Sequence, residues 1–217
     1  MPLPAWTYSQ LEGFETCPKQ YHEVRVKRSI PYVQGEAAKW GDEVHKALEL
    51  RVSEAKPLPT GMTQWESLVS KVIAMPGQKI VEGKYAIDSN FNPCGYYDKQ
   101  AWSRGKIDLG IINGKTGASL DWKTGKRKPT EQLELYAGYM FQTHPQLETV
   151  HTGFIWLKEK KIDKAVVHKQ DMPAIWQRLV ARYRRIEIAY EKDAWPAKPS
   201  GLCKNYCPVT SCEFNGA

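Results

Sequence analysis

Asp108-Leu-Gly-Ile-Ile-Asn113-Gly114, then Ser119-Leu-Asp121-Trp-Lys123-Thr-Gly125, then Glu131-Gln132-Leu-Glu-Leu-Tyr136 is the run of sequence from which the rest of the chain can be read. The first segment is short and β-branched and stops at an Asn-Gly turn. The second ends at Thr124-Gly125, so the two predict a β-hairpin. A helix follows. Thr130, with Pro129 before it, is the expected N-cap, and Leu133, Tyr136, Ala137 and Met140 recur at the helical period.

The hairpin brings two carboxylates, Asp108 and Asp121, onto neighbouring strands. Alternation along a strand puts Asp121 and Lys123 on one face and Trp122 on the other. Paired carboxylates suit a hard divalent ion such as Mg²⁺, which takes one or two of them and leaves its other positions to water and phosphate. A lysine beside that ion can orient a water molecule or stabilise charge on a phosphodiester under attack. The acid-x-Lys pattern alone is unspecific, because Glu54-Ala-Lys56, Glu82-Gly-Lys84 and Glu159-Lys-Lys161 share it. The Asp121 copy is set apart by its surroundings: a preceding strand with an aspartate, and a following helix with Gln132 and Tyr136 four residues apart on one face. A polar hairpin edge with a surface ion pair uses the same letters.

Taken together, Gly105-x-x-Asp108, Asp121-x-Lys123-Thr-Gly125 and Gln132-x-x-x-Tyr136 resemble the core motifs of the RecB-like branch of the PD-(D/E)XK nuclease superfamily. The resemblance implies a mixed α/β, restriction-endonuclease-like core: a central mixed β-sheet flanked by helices. Asp121 stands where many members carry glutamate, which keeps the carboxylate and shortens its reach. Gly41-x-x-x-His45-x-Ala47-Leu48-Glu49 resembles the family's first motif, whose histidine is a metal ligand, and imidazole shifts a site's preference toward Mn²⁺. Without the resemblance, His45 reads as a boundary residue beside the stripe Trp40, Val44, Ala47, Leu48 and Arg51. Relatives also carry a glutamate on the strand before Gly-x-x-Asp, and Glu82 is the nearest candidate. The resemblance thus implies Mg²⁺ or Mn²⁺ held by His45, Asp108, Asp121 and the carbonyl of Trp122. Lys123 acts on the hydrolytic water, and Gln132 and Tyr136 position Lys123 or the scissile strand.

The 217 residues are 41% hydrophobic, enough for one substantial core. The expected organisation is one domain: residues 1–34 with an N-terminal helix and the first cysteine, 35–170 as the nuclease core, and 171–217 as a long helix and a cysteine tail. No apolar run approaches a membrane span, and Met1-Pro-Leu-Pro-Ala-Trp lacks the blocks of a signal peptide, so the expected location is cytoplasmic. The net charge of +7 favours an anionic partner and, beside a site, DNA. Lys126, Arg127 and Lys128 just past the site, and Arg178, Arg182 and Arg185 along the helix that Asp171 is expected to cap, are candidate phosphate contacts; solvated charged faces are the plainer reading. That helix should bury Trp176, Leu179, Val180, Tyr183 and Ile186.

At the amino end Ser9, with Glu12 three residues later, has capping-box spacing for a short helix running into Cys17-Pro18. At the carboxyl end Cys203, Cys207 and Cys212 lie within ten residues, which in a reducing compartment argues for metal over disulfide. With Cys17 they resemble the [4Fe-4S] arrangement of AddB-type helicase-nucleases and CRISPR adaptation nucleases, which implies an iron–sulfur clasp joining the two ends. Three and four residues separate the tail cysteines here, where those relatives usually show two and five, so Zn²⁺ on four thiolates and metal-free buried thiols stay open. The expectation is a metal-dependent DNA exonuclease acting on single strands or DNA ends, similar to small phage exonucleases, with a role in phage or bacterial recombination and repair. A non-catalytic nucleic-acid-binding module and a metal-clasped structural module are the alternatives.

Overall fold

The computed structural model describes residues 3–31, 33–127 and 131–217. Along the chain run α1 (Tyr8–Thr16), α2 (Pro18–Tyr21), a π-helical turn (His22–Val26), α3 (Glu36–Ser53), α4 (Glu66–Ile73), β1 (Gln78–Ile87), β2 (Ser103–Asn113), β3 (Thr116–Lys123), α5 (Gln132–Thr143), β4 (Thr149–Trp156), β5 (Lys161–His168), α6 (Met172–Lys192) and α7 (Leu202–Asn205). They group into two compact units, one of Met1–Val33 with Gln177–Ala217 and one of Gln34–Trp176.

The larger unit holds a five-stranded sheet in the order β1-β2-β3-β4-β5. β1, β2 and β3 form an antiparallel meander, and Asn113 pairs with Thr116 across a two-residue turn in which Gly114 takes a left-handed conformation (φ +60°). β4 then pairs parallel to β3, with α5 as the crossover, and β5 closes antiparallel. One face is covered by α3 and α4: Val44, Leu48, Val69 and Val72 pack with Leu109, Ile111, Leu120, Trp122 and Ile155. The opposite face meets α5 through Tyr139, whose hydroxyl lies 2.6 Å from the Ser103 hydroxyl.

Several local expectations move. Thr7, not Ser9, is the N-cap of α1: its extended backbone lets its hydroxyl accept from the Gln10 N–H, while the Gln10 side chain accepts from the Thr7 N–H. The expected cap at Thr130 and Pro129 lies outside the described residues, and Glu131 immediately precedes α5. Trp40 and Val180 are exposed rather than core, at 44% and 38%, whereas Val44, Leu179, Tyr183 and Ile186 are buried as expected.

In the smaller unit, Arg182 of α6 forms a two-pronged ion pair with Glu15 of α1 and lies over the Tyr8 ring. Trp195 sits among Phe14, Tyr21, His22 and Tyr190, stacked on His22 at 4.6 Å. Among the described residues no helix is long and apolar enough to cross a membrane.

Candidate metal centre

The site begins with a break in strand alternation. Ser103 and Gly105 of β2 face α5, whereas Leu109 and Ile111, of the same parity, face α3 and α4. Between them the β1–β2 ladder skips one pair. Val81 opposes Leu109 and Gly83 opposes Ile107, but Glu82 and Asp108 are not paired, and Glu82 is left-handed at φ +54°. A glutamate in that conformation costs of the order of 1–3 kcal/mol, and such strain gathers at functional positions. Here it reorients two acidic residues toward α3.

The result is a three-donor group. Ligand atoms of His45, Glu82 and Asp108 all lie within 4.8 Å of one another. His45 Nδ1 is 3.3 Å from Asp108 Oδ2, which also accepts from the Trp122 N–H at 2.8 Å. Trp122 thus steadies Asp108 through its amide while its side chain stays in the core. Glu82 carries an ion pair with Lys106.

Asp121 is the fourth acid, only 3% exposed. Its Oδ2 lies 2.6 Å from the Lys123 ammonium, yet among the described residues no donor meets that oxygen at hydrogen-bond angles. Burial and then the Asp108 charge push its carboxyl up to about 7, against the pull of Lys123 and His45. Burial pulls the His45 imidazole down, but the hydrogen bond and charge of Asp108 outweigh it and the net direction is up. Both shifts report one condition: negative charge concentrated in a poorly solvated spot. A buried, undonated carboxylate oxygen beside three converging donors fits a divalent cation.

Lys123 is held from the other side. Its ammonium donates to Gln132 Oε1 at 3.3 Å, Gln132 Nε2 donates to the Tyr136 hydroxyl, and the ammonium stands 5.1 Å from the Phe154 ring centre. Burial, then the Asp121 charge, raise the Tyr136 phenol well above its ordinary value, so it stays protonated. Asp108, Asp121, Lys123, Gln132, Tyr136 and His45 are therefore brought together, and Glu82 joins them. The signal for Glu82 was only its place on a strand before Gly-x-x-Asp. The pairing gap opposite Asp108 cannot be read from letters.

The candidate phosphate contacts are mixed. Arg127 is tied to Asp163, Arg182 to Glu15, and Arg185 comes within 4.0 Å of Glu15. Lys126 is exposed, Arg178 lies within α6, and Lys128 is outside the described residues. In the smaller unit Cys17, Cys203, Cys207 and Cys212 line one small cavity, with the Lys198 N–H 3.5 Å from Cys17 Sγ and the Ser200 N–H 3.4 Å from Cys203 Sγ.

The fold is shared with solved structures. A candidate exonuclease from Eubacterium rectale is similar over 92% of this chain and 85% of its own, at 12% identity and a TM-score of 0.55. The protein SSO0001 is similar over 99% of this chain and 89% of its own, at 16% identity and a TM-score of 0.50. No protein-family model and no curated protein matches the sequence. The class these neighbours and the five-stranded mixed sheet define is a restriction-endonuclease-like α/β fold.

Proposed function

We propose that this protein is a divalent-metal-dependent nuclease of the RecB-like branch that hydrolyses phosphodiester bonds in DNA, acting as an exonuclease on single strands or ends. The observation that carries the reading is the convergence of His45, Glu82 and Asp108 donors within 4.8 Å of one another, beside the undonated oxygen of Asp121. The name of the Eubacterium rectale neighbour agrees with it.

His45, Glu82, Asp108 and Asp121 are the residues that would hold Mg²⁺ or Mn²⁺. The ion supplies Lewis-acid stabilisation of charge on the phosphoryl oxygens. Lys123 brings a fixed positive charge to the same spot, where it orients the attacking water and offsets charge developing on the phosphate. Gln132 sets the height of the ammonium, and Tyr136 sets Gln132. Asp108 keeps its orientation through the Trp122 amide, so attack and stabilisation keep a constant geometry as substrate enters.

The four cysteines are proposed to hold an iron–sulfur cluster, which would cross-link residues remote in sequence and stabilise the smaller unit. Backbone N–H groups directed at two of the sulfurs suit thiolate ligands.

End-labelled DNA incubated with anaerobically purified protein tests the enzyme reading. Cleavage with Mg²⁺ or Mn²⁺ that EDTA stops, and that Glu82→Gln reduces at least about tenfold, is the expected result. Equal DNA binding without cleavage under any metal favours a binding module instead. Iron and sulfide content, measured in the same preparation and in Cys17→Ser, tests the cluster against zinc.

A further inference from the structure

Trp40 is a feature of the larger unit that the metal centre does not use. It stands in α3 immediately before Gly41 and five residues before His45, about 7.5 Å along the helix axis. One turn later on the same face Val44 is fully buried, so the apolar stripe of α3 runs out at Trp40 and leaves an indole 44% exposed. The ring lines a shallow cavity of about 350 Å³ together with Gln64, Thr124, Lys158 and Lys160. Both lysines are exposed, and neither has an ion-pair partner among the described residues, although Glu159 separates them in sequence. Thr124 follows Lys123 directly, and a Cβ on Gly41 would stand 3.4 Å from its hydroxyl. The cavity is therefore continuous with the end of β3 that carries the lysine of the site.

We propose that Trp40 is a stacking platform for one unpaired base of a single-stranded nucleic acid, whose neighbouring phosphates are held by Lys158 and Lys160. This rests on the nuclease reading above and deepens it by naming the groups that would bind an unpaired strand. An aromatic face accepts any base, and flanking cations hold the backbone without reading sequence. In an intact duplex each base is already stacked and paired, so it has no face to give. A single strand or frayed end does. The platform's link to the site is Thr124, which lines the cavity with Trp40 and follows Lys123 directly in sequence.

The test is binding in EDTA, where no cleavage occurs. A short fluorescent oligothymidylate and a blunt duplex are titrated by anisotropy into wild type, Trp40→Ala, Trp40→Phe and a Lys158→Ala/Lys160→Ala double variant, each checked for native circular dichroism. Trp40→Ala is expected to weaken single-strand binding by about tenfold or more and to leave duplex binding unchanged, while Trp40→Phe retains most of the affinity. The double variant should lower the salt slope of single-strand binding by about 1.4. If Trp40→Ala binds the oligothymidylate as wild type does, or both substrates weaken equally, the platform is wrong. Mg²⁺-dependent cleavage is read separately: a wild type that cuts beside a Trp40→Ala that binds normally leaves the nuclease reading standing and removes only this one.

Discussion

Asp121 shows what a single residue contributes and what it costs. In the metal-free protein its carboxyl is held up to about 7 while the unfolded chain releases the proton near the ordinary value of about 4. Between those values the folded state binds more protons than the unfolded one, so this residue makes stability fall as pH rises through that window. Asp121→Asn removes the buried charge. In EDTA its melting temperature should exceed that of wild type by several degrees at pH 8, and the gap should narrow toward pH 5 and close near pH 4; an equal gap at all these pH values would remove burial as the cause of the shift. The sequence disclosed Asp108, Asp121 and Lys123 because spacing and alternation are written in letters. It offered Glu82 only as the nearest glutamate before Gly-x-x-Asp, because a left-handed residue and a skipped pair depend on how two strands meet.

At the scale of elements, α5 and β2 form the frame that aims Lys123. Gly105 is where they touch: a Cβ there would stand 2.6 Å from Tyr139 and 3.2 Å from Tyr136. Both rings are buried, so neither gives way easily. Gly105→Ala should destabilise the fold by about 1–3 kcal/mol, read from urea midpoints, and should also lower cleavage, because moving Tyr136 loosens Gln132 and then Lys123. Loss of stability with unchanged cleavage would show that α5 does not set the lysine. The hairpin, the crossover helix and the apolar stripe of α6 were legible from period and turn chemistry. Less legible were the ends of elements and of stripes: Thr7 instead of Ser9, and Trp40 and Val180 in water, are settled by where neighbouring elements stop.

Over the whole molecule, charge and fold point the same way while identity with the solved neighbours stays low. The basic balance of +7 was legible at once, but which cations are free to meet phosphate was not. Arg127 and Arg182 are bound to Asp163 and Glu15, whereas Lys158 and Lys160 line a cavity beside an exposed indole. The smaller unit gathers Cys17 with three cysteines nearly the length of the chain away, a proximity that counting cysteines suggests and only folding can show. The account stands most directly on Lys123. Single-turnover cleavage of labelled single-stranded DNA with Mg²⁺ should fall by about 10²-fold or more in Lys123→Ala, with native circular dichroism and DNA binding close to wild type. A Lys123→Ala protein that cleaves at the wild-type rate would contradict the account, because among the described residues Asp121 pairs with no other ammonium.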